Sequence, residues 1–302
     1  MSAPNVELAL GTVQFGMKYG IAGRGEPVPA DEVRDIFARA WESGVRVLDT
    51  APAYGSIEEN LGDLTKDYPF KMVSKIPALP QGTSEDIAKF VTQSIQKTRK
   101  RLGDNLTTIL FHRSEDLLEP HGAIAWEAAS KAISDSSIRL GVSCYSPSEL
   151  ALLQTKFPVS AAQIPGNALD QRIRTANLPV IPHCVRDDVN QVPEVTKNIE
   201  LYLRSVFLQG ILLLAPETVS KQLPQAAKHI YAWRKWCEEH QLSPLQAALS
   251  IAKGLPGIRY CVVGVDKLSH LEEILTAWNH AVPLTASSLS TDNMDIIDPR
   301  LW

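Results

Sequence analysis

Eight short apolar runs punctuate this chain, and that count constrains its fold more than any other feature. They fall at residues 6–13, Val45–Leu48, Phe70–Ser74, Thr107–Phe111, Ile138–Ser143, Ala161–Ile164, Leu201–Phe207 and Tyr260–Val263. Runs so short, with flanks that turn polar or small, read as strands buried on both faces. Most of the segments between them read as helices. Ala30–Glu42 carries Ile36, Phe37, Ala40 and Trp41 at helical spacing, and residues 56–64 repeat the pattern. Ser84 reads as the N-cap of a helix whose inward stripe is Ile87, Val91, Ile95 and Leu102. Ala123–Ile133 is again helical, and Pro147 opens another helix at its first turn, where the missing N–H is harmless. Residues 224–240, 244–254 and 268–281 complete the set. Two connections depart from the rule. Gln14–Gly20, rich in glycine and aromatics, suits either a pocket mouth or a packed surface loop, and residues 177–195 read as an irregular crossover. Strand–helix alternation sustained over eight strands predicts a TIM (β/α)8 barrel of parallel strands inside a ring of helices.

At 302 residues the chain is expected to form a single barrel domain over 1–302. With 44% hydrophobic and 21% charged residues it can bury a large core. The net charge is −4 and the basic residues are scattered, which excludes a nucleic-acid groove and an anionic membrane surface as expected partners. Cys144, Cys184, Cys237 and Cys261 lie far apart with no Cys-x-x-Cys pair, so neither a metal site nor a disulfide framework is expected. The first residues, Met1–Asn5, lack a signal-peptide pattern, and no apolar run has the length of a membrane span. A cytoplasmic location is the expectation.

Chemistry gathers at the ends of the apolar runs. Val45–Leu48 stops abruptly at Asp49, and Tyr54 follows a small-residue turn. Lys75 closes the third run and His112 the fourth. In a parallel barrel these ends share one face, where the chemistry of such folds is found. Taken singly, each side chain has a bland reading: a packing tyrosine, a surface lysine, a core histidine. Grouped, they place a phenol beside an ammonium and a carboxylate. That is a proton donor whose pKa is expected to fall from about 10, and Asp49 is expected to hold Lys75 charged and in place. No side chain carries a hydride, and no Gly-x-Gly-x-x-Gly follows a strand to announce a Rossmann domain.

Asp49, Tyr54, Lys75 and His112, in this order on successive strands, resemble the catalytic set of the aldo-keto reductases, and the likeness runs from Leu10-Gly11-Thr12 to the helix near Glu273. The resemblance implies reduction of an aldehyde or ketone, with Tyr54 as general acid and His112 donating a hydrogen bond to the substrate oxygen. It also implies a nicotinamide cofactor extended across the barrel mouth. Gly141-Val142-Ser143-Cys144-Tyr145 matches a segment whose Ser and Asn hold the carboxamide, with Cys144 replacing the asparagine, and Gln163 matches a second anchor. Arg204 falls where an aromatic ring stacks under the nicotinamide, and Ser205, Phe207, Gln209 and Gly210 follow it along the pyrophosphate. Gly11, Thr12 and Asp49 belong to the same implied set, as do Gly264, Lys267, His270 and Glu273 near the adenosine end. The resemblance implies NADPH. Asp266 and the loss of cations around it leave NADH acceptable too. Met17, Tyr19, Arg113 and Leu301-Trp302 are candidate substrate liners, and the tail 298–302 is expected to pack near the pocket rim. A monomer or weak homo-oligomer acting on a small carbonyl compound is the resulting expectation. Two other readings stay open: a non-catalytic nicotinamide-binding redox sensor or regulatory subunit, and a Schiff-base lyase using Lys75.

Overall fold

The structure, a computed structural model, describes residues 6–21, 23, 25–176 and 199–302. The crossover expected at 177–195, Cys184 within it, and Met1–Asn5 lie outside the described residues. Eight strands close a barrel in chain order, every neighbour parallel. They are β1 (Glu7–Gly11), β2 (Val47–Asp49), β3 (Lys71–Ile76), β4 (Leu106–Phe111), β5 (Arg139–Ser143), β6 (Ala161–Pro165), β7 (Glu200–Arg204) and β8 (Ile258–Gly264). α-Helices occupy the described connections apart from that between β6 and β7, whose described residues hold a 3-10 turn, Arg172–Arg174; the TIM (β/α)8 architecture anticipated from the eight apolar runs is present.

The strands alternate strictly between two apolar layers, as side chains two residues apart must. Ala9, Val47, Val73, Leu110, Ala161, Tyr202 and Tyr260 point into the barrel and fill it. Tyr202 and Tyr260 stack with ring centroids 4.9 Å apart, and the Tyr202 hydroxyl lies 3.3 Å from Thr108 Oγ1. Their neighbours face outward: Leu8, Leu10, Leu48, Met72, Ile109, Leu203 and Val263 among them. There they meet Ile36 and Phe37 of helix Ala30–Glu42 and Ile87, Val91 and Ile95 of helix Ser84–Leu102. Both faces of each strand are therefore dry, which is why the runs are apolar throughout instead of alternating with polar residues. The barrel core is a packed plug, and only the residues beyond it reach the mouth.

Several boundaries differ from expectation for local reasons. Thr83, not Ser84, caps its helix: Thr83 Oγ1 accepts from Asp86 N at 3.3 Å while Asp86 Oδ2 accepts from Thr83 N at 3.0 Å. This reciprocal pairing fixes the start one residue earlier. β7 ends at Arg204, not Phe207, because Ser205 has φ of 61° and turns the chain out of the strand. The expected helix over 224–240 is a 3-10 turn, Pro224–Ala226, leading into Ala227–Glu239. A short helix, Pro216–Gln222, was not signalled. Pro147 does sit in the first turn of its helix, with Ser146 Oγ accepting from Glu149 N at 3.1 Å.

Candidate active site

Strand parity builds the mouth. Counting two residues on from each inward plug residue gives Gly11 after Ala9, Asp49 after Val47, Lys75 after Val73 and His112 after Leu110. The same step gives Gln163 after Ala161 and Arg204 after Tyr202. Each keeps the inward direction of its predecessor but stands one layer higher, at the C-terminal end of the barrel.

The floor of the mouth is one hydrogen-bonded unit. Lys75, only 1% exposed, donates from Nζ to Asp49 Oδ1 and to the Thr50 carbonyl, each at 2.8 Å. Gln163 Nε2 donates to the same Asp49 Oδ1 at 2.8 Å, and Ser143 Oγ donates to Gln163 Oε1 at 3.4 Å. Burial works against the Lys75 charge, yet Asp49 and then Tyr54 outweigh it and hold its pKa above the usual lysine value. Lys75 Nζ also lies 5.0 Å from the centre of the Tyr54 ring, and that ring meets His112 edge-on with centroids 5.9 Å apart.

Tyr54 is positioned by contact between two loops. A Cβ at Gly16 would sit 1.7 Å from the Tyr54 carbonyl oxygen, and one at Gly55 would sit 2.2 Å from the Gly16 carbonyl. Only two glycines let these backbones touch, and Gly55 also takes φ of 64°. The Tyr54 pKa is raised, against the fall expected from the sequence: burial dominates, and the lowering by Lys75 is offset in part by Asp49 and Tyr19. The neighbouring ammonium alone does not decide the sign, because Asp49 answers its charge. His112 is pushed down to about 3 by burial, then by the positive charges of Lys75 and Arg204. It is a neutral imidazole at any ordinary pH.

Above this floor lies a cavity of about 400 Å³. Of the residues singled out in the sequence, Gly11, Thr12, Asp49, Tyr54, Gln163, Arg204, Ser205, Phe207, Gln209, Gly210, Gly264, His270 and Glu273 line it, and so does Tyr19. Four others do not. Lys75 and His112 stand behind Tyr54, and Ser143 lies behind Gln163. Cys144 is fully buried in the outer core, because it follows inward Ser143 and so faces the helices. Its thiol cannot take the role of the asparagine it replaces, although its carbonyl accepts from Arg204 Nη2 at 3.0 Å. Lys267 precedes helix Leu268–His280 with its side chain in solvent, off the cavity wall. His270 Nδ1 pairs with Asp266 Oδ1 at 2.6 Å, so that end of the cavity is walled by Asp266, His270 and Glu273. Met17 and Arg113 are exposed beyond the lining, Arg113 paired with Asp116.

Gln14, Val13, Leu213 and Leu245 line the cavity too, and sequence reasoning missed them as individual residues. The open alternative for 14–20 resolves toward a pocket mouth, since Gln14, Tyr19 and Gly20 all reach the wall. Ile21 N donates to the Gln209 carbonyl at 3.2 Å, tying this loop to the one after β7. The wall has polar groups without protein partners. Gln14 Oε1 is buried and unbonded, and Arg204 has no carboxylate within ion-pair distance among the described residues. An acceptor, a lone cation and neutral amide donors suit a ligand that brings both hydroxyls and negative charge.

The sequence model of the Aldo/keto reductase family matches residues 7–293. Two solved structures from Pseudomonas aeruginosa, each described as a candidate aldo-keto reductase, superpose with TM-scores of 0.60 and 0.61. Each is 21% identical over 91% of this chain, covering 90% and 89% of its own. No protein of curated function matches the chain.

The floor unit has a testable energetic signature. Lys75→Met leaves Asp49 buried without its counter-charge, and a loss of about 3–5 kcal/mol in urea denaturation is expected. Asp49→Asn with Lys75→Met removes both charges and is expected to lose less than Lys75→Met alone. A double variant that loses the sum of the two singles contradicts the pairing.

Proposed function

Since the chain belongs to the aldo/keto reductase family, we propose that it reduces an aldehyde or ketone with a nicotinamide cofactor, Tyr54 serving as general acid. The observation that carries this reading is the buried Lys75–Asp49–Gln163 floor beneath Tyr54, which lines the cavity with the neutral His112 ring edge-on against it. A bound nicotinamide cofactor supplies the hydride. The residues fit such a ligand: Gln163 offers an amide at the floor, Arg204 a cation with no carboxylate partner among the described residues, and Gln14 an Oε1 with no donor among them.

The chain's own groups handle the oxygen and the proton. As hydride reaches the carbonyl carbon, negative charge grows on the substrate oxygen. His112, neutral, donates a hydrogen bond to that oxygen without bringing a charge that would repel Arg204 or Lys75. Tyr54 Oη gives its proton to the developing alkoxide, and the Lys75 ammonium stabilises the phenolate left behind. Asp49 keeps that ammonium charged and fixed. The same pairing weighs against a Schiff-base lyase, which needs a free neutral amine where Lys75 is buried with a raised pKa. The reading takes residues 1–302 as one unit acting in the cytoplasm, as a monomer or weak oligomer.

Tyr54→Phe removes the transferable proton and is expected to lower the reduction rate of a reactive aldehyde by about two to four orders of magnitude. Affinity for the reduced cofactor should stay within about twofold of wild type. A variant keeping more than about a third of wild-type turnover contradicts the role. The pH profile follows from the raised Tyr54 pKa and the His112 value of about 3. The acid form prevails below a pKa above 10, so kcat/KM should be flat from about pH 5 to 9 and fall only beyond. A midpoint near neutrality would show a phenol tuned the other way.

Cofactor choice turns on the adenosine end. Asp266 and Glu273 are carboxylates on that wall, His270 is engaged by Asp266, and Lys267 stands outside it. At the start of helix Leu268–His280 the Leu268 N–H is taken by Glu32 Oε1 at 3.3 Å, and the N–H groups that follow still favour a phosphate. NADPH is expected to bind, but within about tenfold of NADH, by quenching of tryptophan fluorescence at fixed ionic strength. A preference above about a thousandfold, roughly 4 kcal/mol, contradicts this account of the wall.

A further inference from the structure

The last residues of the sequence reach the cavity through a stack of alternating cations and rings. Arg204, on the cavity wall, lays its guanidinium carbon 4.3 Å from the centre of the Tyr145 ring. Arg300 lays its own 3.3 Å from the centre of the same ring. Both guanidiniums therefore bear on this one ring, Arg204 from the cavity wall and Arg300 from the segment 298–302. The order from solvent inward is Arg300, Tyr145, Arg204, cavity.

Each layer is pinned from its own side. Arg300 Nη2 donates to Asp298 Oδ2 at 2.7 Å, Nε donates to Asp298 Oδ1 at 3.0 Å, and Nη1 donates to Glu115 Oε1 at 2.9 Å. Asp298 is itself buried, and both its own Arg300 and the more distant Arg204 hold its carboxyl below the ordinary range despite burial. Trp302 Nε1 donates to the Asp295 carbonyl at 3.1 Å, and its ring packs on the secondary core around Trp233 and Ile297. Tyr145 is anchored at both ends of its peptide, N to Glu149 Oε2 at 2.9 Å and O to Arg172 Nη2 at 3.0 Å. Arg204 is different. Its Nη atoms donate only to the Cys144 carbonyl and to Ser205 Oγ, its Nε has no partner, and no described carboxylate pairs with it. The face of Tyr145 joins these two neutral acceptors in orienting its plane.

We propose that Arg300 is a positioning residue for the cofactor site, holding Tyr145 so that the Arg204 guanidinium presents a fixed flat face to the bound nicotinamide cofactor. The proposal rests on the cavity being a nicotinamide site. In its free form Arg204 would swing among rotamers, and a ligand would have to order it on binding. With Tyr145 clamped, that ordering is already complete. Segment 298–302 thereby becomes part of the site without touching the ligand.

A double-mutant cycle on the full chain tests this, with NADPH affinity from tryptophan quenching and thermal midpoints recorded for every variant. Arg300→Ala is expected to weaken NADPH about three- to tenfold. In a Tyr145→Ala background, Arg300→Ala should change affinity by less than about twofold, because the ring through which it acts is gone. Tyr145→Phe, which keeps the ring, should retain wild-type affinity. Arg300→Lys keeps the charge but not the plane and should resemble Arg300→Ala. A merely structural tail would lower the thermal midpoint of Arg300→Ala and leave affinity unchanged, which overturns the proposal. Equal losses from Arg300→Ala in both backgrounds overturn it as well. A wild-type protein that binds no nicotinamide cofactor would instead overturn the reading on which it rests.

Discussion

The buried pair of Lys75 and Asp49 is the interaction on which the rest of the mouth depends. An ammonium at 1% exposure survives in a protein interior only with a counter-charge and full hydrogen bonding. Asp49 Oδ1 supplies the first and the Thr50 carbonyl a second acceptor, while the Gln163 amide donates in turn to Asp49 Oδ1. Because β2, β3 and β6 each contribute one member, the pair also ties three strands together at their upper ends. Its charge then reaches outward. It pulls against burial at Tyr54, and with burial it keeps His112 neutral. Burial thus decides the direction of both shifts, with the Lys75 charge opposing it at Tyr54 and adding to it at His112.

Much of this was legible in the sequence because a closed parallel barrel obeys a simple parity. Once Val47 and Val73 are inside, Asp49 and Lys75 must follow them, and the same counting places His112, Gln163 and Arg204. The same parity overturns one expectation. Cys144 follows an inward Ser143 and so faces the helices, whatever residue occupies that place in relatives. The sign of the Tyr54 shift differs from expectation for another reason. Burial is a sum over surrounding atoms, and no local motif reports it.

What the sequence concealed is contact between distant segments. Tyr145 and Arg300 are separated by most of the second half of the chain, and neither belongs to a periodic pattern. The helix Pro216–Gln222 escaped because it is short and begins after a turn that no apolar stripe announces. Gln14 was visible only as part of a glycine-rich loop, and the Gly16–Gly55 backbone contact decides that this loop folds over the mouth. The arrangement shares its labour accordingly. Strands carry Asp49, Lys75, Gln163 and Arg204, while loops place Tyr54 and shape the cavity above it.

The most direct test follows the hydride itself. Wild-type protein reducing 4-nitrobenzaldehyde with NADPH dideuterated at nicotinamide C4, in ordinary water, should give an alcohol with a single deuterium on its benzylic carbon. Cofactor oxidation should exceed the enzyme-free rate. Cofactor that binds, by fluorescence quenching, but is not oxidised above that rate would contradict the account and leave a binding protein in place of a reductase. So would an alcohol whose benzylic hydrogen comes from solvent.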